Sequence, residues 1–251
     1  MNGTAAAQGD EAARTVFVAS AGLDIGLPIA TGLAARGAAV AWLGDAVEPA
    51  PSAADVLRLT TAFDSRATLE AAFAIAQQRI GTPTQVIVSA IPLRALQAAD
   101  IGTLDDETWR AACGAAMKAV LYTLQAAYTQ MAGRGGSVVV LGPSLSLAGA
   151  ARLVALSTAI EGQRGLVKST ARQWGGRGIT VNWIAAAPRA LSPLFDTLPL
   201  PVKPDPVMVA LGRAPDLAAD IAPVIDFLAS PAGRVMTGAT LVLDGGEWMV
   251  P

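Results

Sequence analysis

Short β-branched runs alternate with longer stretches of helical apolar spacing along nearly the whole chain, the pattern of a parallel sheet wound on both faces. Residues 15–20 (TVFVAS) read as a buried strand, and 22–36 as a helix stopped by Gly37. A second strand is predicted over 38–43. Segment 45–52 contains Pro49 and Pro51 and is too short for a long crossover helix, which predicts a truncated connection. Strand three is expected over 56–63, a helix over 66–80 and a central strand over 85–90 (QVIVSA). One long helix is expected over 105–131, with Asp105, Asp106 and Glu107 in its first turn, where carboxylates suit the helix dipole. A fifth strand (137–141), a second long helix (150–174), a sixth strand (178–184), a helix near 217–228 and a last strand (239–243) complete the pattern. Seven prolines between 185 and 215 predict a rigid extended loop or lid.

Composition narrows the class. The chain has 251 residues and no linker-like stretch, which predicts a flexible start (1–14) and one domain over 15–251. Hydrophobic residues make up 53% and charged residues 15%, against about 45–50% and about 25% in ordinary domains. Much of the excess is alanine, which suits tight helix packing together with a broad subunit interface. A net charge of −2 lacks the basic footprint that nucleic acid demands. The start carries no charged region leading into an apolar one, and the apolar runs fall short of the roughly 18 residues of a membrane span. The expectation is a cytoplasmic protein without membrane contact. Cys113 is the only cysteine and the chain has no histidine, so it has no disulfide partner within the chain and no imidazole to activate it, and a packing role is expected. The same inventory argues against a metal site, since the acids at 105–107 are explained as a helix start.

Three segments carry a more specific signal: GLVKS (165–169), GITVN (178–182), and the run 212–246 with Thr237, Gly238, Asp244, Gly245 and Gly246. Their order and spacing, from about residue 15 to the end, resemble the short-chain dehydrogenase/reductase family. The resemblance implies one Rossmann-like, doubly wound α/β domain with a seven-stranded, mostly parallel sheet and helices on both faces. It also implies hydride transfer with NAD(P), using Tyr, Lys, Ser and Asn, in dimers or tetramers.

The motif residues themselves depart from that family. Its glycine-rich turn TGxxxGxG lets backbone approach a pyrophosphate at a helix amino terminus. Here the segment is ASAGLDIG (19–26): Ser20 and Asp24 hold the first two glycine positions, with Gly22 between them, and Gly26 holds the third. A carboxylate about 4 Å from a phosphate costs up to about 4 kcal/mol at an effective dielectric near 20, roughly a thousandfold in affinity. Asp24 is also placed to cap the following helix, which is compatible with excluding a dinucleotide. Gly44 stands where an acid would hold the ribose, with Asp45 next to it. Ala62 stands for the adenine-side Asp, with Asp64 two residues on, and VSAI (88–91, including Ser89) replaces NNAG. The only asparagines are Asn2 and Asn182. A weak NAD(P) site or none is expected.

Anchored on GLVKS, the YxxxK position reads LSTAI, with Leu156 for Tyr and Ile160 for Lys; Pro143 replaces Ser and Ala116 replaces Asn. None of these four moves a proton. Neither Tyr122 nor Tyr128 has a lysine four residues later. Ser144 and Ser146 read either as a displaced substrate-holding pair or, preferably, as turn residues bonded to local backbone. Ser157 and Thr158 fall in a helix that could face the former pocket, without an adjacent base.

These readings favour a catalytically inactive subunit that supports a hetero-oligomeric dehydrogenase with an active paralogue. The paralogue would bind NAD(P), with contacts through about 105–131, 150–174 and 215–251. Trp248, Met249 and Val250 would then shape the neighbour's pocket. A hydroxyacyl-CoA dehydrogenase, including one for substituted succinyl-CoA esters, is the analogy for such a complex. Two alternatives stay open: a divergent NAD(P)-dependent oxidoreductase acting on a hydroxy or keto substrate, and a ligand-binding or regulatory module. In the last, Ala116, Pro143, Leu156 and Ile160 either line a vacated pocket or fill it as core. Arg189 and Lys203 in the lid are candidate contacts for an anion such as a thioester's phosphates, or simply solvated cations.

Overall fold

Strands that are apolar at nearly every position can only sit where both sheet faces are covered, and the computed structural model puts them there. It describes residues 14–45, 56–198 and 209–249. Seven parallel strands run in the order β3-β2-β1-β4-β5-β6-β7. They are β1 (Thr15–Gly22), β2 (Ala39–Gly44), β3 (Val56–Thr60), β4 (Gln85–Ile91), β5 (Gly136–Pro143), β6 (Ile179–Ala186) and β7 (Thr240–Leu243). The central strands β1, β4, β5 and β6 are buried along almost their whole length, whereas β3 and β7 at the edges are only partly covered.

On one face lie α2 (Arg66–Ile80), α4 (Ala115–Met131) and α6 (Val154–Trp174); on the other lie α1 (Gly26–Ala34) and α8 (Ala222–Ala229). Helix α2 occupies the predicted residues, started by Ser65, whose side chain accepts from the Thr68 N–H. Its Phe73 is fully buried and meets Phe17 of β1 edge-on, ring centroids 5.3 Å apart. Across the sheet, Gln85 donates to the Ile225 carbonyl of α8 at 2.6 Å. The chain order reverses between β1 and β4, and crevices for ligands open beyond the carboxyl ends of strands at such a switch.

Several boundaries differ from expectation for local reasons. The first helix begins at Gly26 rather than 22, because Gly22 turns the chain at φ 88°. The long helix over 105–131 is not one α-helix. Asp105 caps a short α3 (Asp106–Trp109), a π turn occupies Arg110–Gly114, and α4 follows. Its i→i+5 bond runs from the Ala115 N–H to the Arg110 carbonyl, and Ala112 and Cys113 of this turn are buried. A second π turn, Leu217–Ile221, precedes α8 and is capped by Asp216. The helix expected from 150 starts at Val154, since Gly149 (φ 79°) and Arg152 (φ 66°) bend the preceding chain. Between 185 and 198 the proline-rich segment is partly helical, with α7 at Pro188–Leu191 and a 3-10 turn at Pro193–Thr197. The expected flexible start, the truncated connection with Pro49 and Pro51, Lys203, Pro199, Pro201, Pro204, Pro206 and Val250 lie outside the described residues.

The aromatic contact between α2 and β1 sets a measurable scale. Phe73→Ala is expected to lower the unfolding free energy by about 3–5 kcal/mol through lost burial and a residual cavity. Urea denaturation followed by circular dichroism checks this; a loss below about 1 kcal/mol would mean that the helix does not rest on this contact.

Candidate functional site

The turn after β1 is stitched shut by its own chain. Gly22 lies so close to the end of β4 that a Cβ there would sit 2.0 Å from the Ile91 carbonyl oxygen, and its φ is 88°. Only glycine fits. The next N–H, Leu23, donates to that same Ile91 carbonyl at 3.2 Å, and Ile25 N–H donates to the Leu23 carbonyl at 2.8 Å. The Gly22 N–H points at the carboxylate of Asp45, 3.0 and 3.2 Å from its two oxygens. Pro28, in the first turn of α1, has no N–H to offer. Three N–H donors of this turn are therefore committed, and one of them already holds a carboxylate.

Asp24 is exposed on this turn. The expected cap is not made: Ile25 occupies the N-cap position with a helical backbone, and α1 has no side-chain cap bond. Asp24 lies one residue too early. Beneath the turn, Ser20 is buried and accepts from the Trp42 indole N–H at 2.9 Å. A Cβ on Gly26 would lie 2.1 Å from the Trp42 Nε1 and 2.2 Å from the Ser20 Oγ, so close packing of the indole explains why that glycine is kept. Gly44 ends β2, its carbonyl accepting from Thr61 N–H. Ala62 is exposed, and Asp64 is engaged by the Thr68 hydroxyl at the start of α2. Ser89 is buried opposite Ser20 in the β1–β4 register, its hydroxyl without a partner among the described residues.

The four positions where the family resemblance places catalytic groups are in the interior. Ala116, Leu156 and Ile160 are each 1% exposed, and Pro143 is buried at the end of β5. Leu156 and Ile160 belong to the main core; Ala116 packs with Cys113 and Ala159 beside Trp109 and Met117. Burial pushes the Cys113 thiol up, which keeps it protonated and suits packing. Ser144 and Ser146 do not bond local backbone as expected. Their hydroxyls have no partner among the described residues, while the Ser144 N–H donates to the Ala186 carbonyl. Thr158 is exposed, so it does not face a buried pocket, and the Ser157 hydroxyl is unpartnered.

One residue was missed by motif reading. Gln163 continues the buried stripe of α6 formed by Leu156, Ile160 and Val167, and it is itself 1% exposed. Its amide donates to the carbonyls of Ala90 (3.0 Å) and Ala116 (3.4 Å). A polar residue in an apolar helical stripe was the available signal. This amide ties α6 to the end of β4 and to the start of α4.

A second polar group lies near the carboxyl terminus. Buried Asp244 accepts from the N–H groups of Gly246, Glu247 and Trp248 and shapes that turn. Burial pushes the Glu247 carboxyl up to about 7, the Asp244 charge adds to this, and Arg189 opposes it. Arg189 is paired with Asp196 at 2.6 Å. Met249 is 81% exposed.

A family model described as enoyl-(acyl carrier protein) reductase matches residues 21–247. Galactitol 2-dehydrogenase (L-tagatose-forming) of Cereibacter sphaeroides is 30% identical over 93% of this chain and 97% of its own. Cis-4-hydroxycyclohexanecarboxylate dehydrogenase of Sinomonas cyclohexanicum is 31% identical over 94% and 96%. Among solved structures, 3-ketoacyl-(acyl-carrier-protein) reductase of Brucella melitensis, complexed with NADH, superposes with a TM-score of 0.79 at 18% identity, covering 93% of this chain and 98% of that one.

The Glu247 environment predicts a pH dependence. A carboxyl raised from 4.5 to about 7 stabilises the fold fully below 4.5, and that contribution is lost as pH rises to about 7. Glu247→Gln is therefore expected to gain stability relative to the parent chain as pH rises from 5 to 8, by up to a few degrees in Tm. Partial solvent screening reduces the effect. Thermal melts across that range test it, and a difference independent of pH would remove the buried-carboxyl account.

Proposed function

The chain belongs to the short-chain dehydrogenase/reductase family of oxidoreductases, and we propose that it serves there as a non-catalytic subunit assembled with an active paralogue. The observation that carries this reading is the interior placement of Ala116, Pro143, Leu156 and Ile160: hydrocarbon, buried, and packed into the core where a proton relay would need hydroxyl or ionisable groups. Their packing as core favours filling over a vacated pocket at these positions.

The residues of the turn do not fit a dinucleotide. Asp45 bonded to the Gly22 N–H, the spent donors of Leu23 and Ile25, and exposed Asp24 together oppose a pyrophosphate, so NAD(P) is assigned to the partner subunit. Exposed apolar side chains on two of the three expected contact segments support the partnership. Of the large apolar side chains that stand exposed among the described residues, Leu211, Phe227, Val235, Val242 and Met249 cluster in the carboxyl-terminal 209–249 and Leu121 lies on α4. The paralogue, rather than this chain, would hold the substrate, with a hydroxyacyl thioester as the analogy.

One observation favours a second reading, a divergent NAD(P)-dependent oxidoreductase: Glu247, half-buried near Arg189, has a carboxyl that titrates near neutrality. In that case Glu247→Gln would abolish turnover by the isolated chain.

Calorimetric titration of the isolated chain separates the two. We expect NADH and NADPH to bind no tighter than about millimolar, given a roughly thousandfold penalty for opposing carboxylates. Co-expression with a paralogue carrying Tyr, Lys, Ser and Asn is expected to yield a complex of fixed stoichiometry. A homomer that binds NADH at micromolar concentration and oxidises a hydroxyacyl substrate would overturn the proposal.

A further inference from the structure

The amino-terminal edge of the sheet, opposite the edge that carries the glycine-rich turn, collects positive charge in a chain whose net charge is −2. A cavity of about 700 Å³ opens there, lined by Arg14, Arg36, Arg134 and Arg234, with Asp226 as the acid in its wall. An adjoining hollow of about 650 Å³ shares Arg134 and Arg234 and adds Arg177, which is held over the Tyr128 ring at 5.2 Å. Arg14 and Arg36 both pair with Asp226. No carboxylate lies within ion-pair distance of Arg134 or Arg234 among the described residues.

Four helices end at this edge, and a basic residue after a helix is favoured by the dipole. That accounts for Arg36 after α1, Arg134 after α4, Arg177 after α6 and Arg234 after α8, but only in part. The helix ends offset part of this charge, at about half a negative charge each, and among the described residues no carboxylate offsets the rest at Arg134 and Arg234.

The cavity wall supplies a separate observation. Ser137 of β5 stands opposite Thr180 of β6 in register, so both side chains project to the same face of the sheet. Both residues line the cavity, Ser137 is 3% exposed, and neither hydroxyl has a hydrogen-bond partner among the described residues. Buried hydroxyls are nearly always satisfied, so two adjacent orphans call for a ligand or water. Glycines keep the neighbouring wall free of side chains: Gly133, Gly135 and Gly136 on one loop, Gly175, Gly176 and Gly178 on the other.

We propose that this arginine-lined cavity is a binding site for a small anion carrying two linked phosphate groups. Arg134 and Arg234 supply charge-assisted donors, and the paired hydroxyls of Ser137 and Thr180 complete the set. Its size falls in the range of small-molecule sites. The site is remote from the β1–β4 switch point, so it stands whether or not the subunit is catalytic.

Isothermal titration of the full chain with pyrophosphate, at ionic strength held constant with sodium chloride, tests the site. We expect saturable binding, tighter than for orthophosphate, that weakens about tenfold in Arg234→Gln and further in Arg134→Gln/Arg234→Gln. Both arginines are exposed, so these variants keep the fold. Ser137→Ala should also weaken binding while leaving the melting temperature unchanged or higher, and Arg94→Gln, at the opposite edge, should do nothing. Absence of saturable binding, equal affinity for orthophosphate, or equal loss in Arg94→Gln would each overturn the proposal.

Discussion

An all-parallel sheet must be covered on both faces, and that requirement governs the rest of this molecule. It demands continuous apolar strands at β1, β4, β5 and β6, helices packed on both faces, and side chains that tie helix to sheet. Phe17 meets Phe73 on one face and Gln85 reaches Ile225 on the other. Chemistry at the carboxyl ends of the strands is an addition to this frame and contributes little to holding it up. Polar groups in such a site carry a desolvation cost, so replacing them with hydrocarbon is easily tolerated by the scaffold.

That asymmetry is consistent with a chain that has its family's architecture and hydrocarbon side chains at four interior positions. Leu156 and Ile160 extend the buried stripe of α6, and Ala116 lets the start of α4 approach Ala159. Gln163 then satisfies the carbonyls of Ala90 and Ala116 from within the same stripe. At the turn after β1 the backbone bends sharply, because Gly22 is pinned by Ile91, and three of the turn's donors are taken by Ile91, Leu23 and Asp45.

Periodicity made most of the frame legible in the sequence. The α2 segment came out residue for residue, because Ser65 and Gly81 bracket it with unambiguous start and stop chemistry. Helix starts at 26 and 154 lie later than periodicity predicts, since positive φ at Gly22, Gly149 and Arg152 reflects tertiary approach that local pattern does not encode. The departures from the family motif are legible residue by residue, but the contacts of the residues that stand there are not. Trp42 meets Ser20 only through the β1–β2 pairing, and Asp45, seen in the sequence as a displaced ribose acid, acts on a backbone N–H 23 residues away. Asp24 looked like a cap and is not one, because the turn places Ile25 at that position.

The two π turns, at Arg110–Gly114 and Leu217–Ile221, each accommodate one residue more per hydrogen-bonded ring than α geometry does. Insertions and deletions among homologous chains need not fall in loops under these circumstances: a relative lacking one residue there would carry its alignment gap inside a helix, with the flanking faces still in phase with their neighbours.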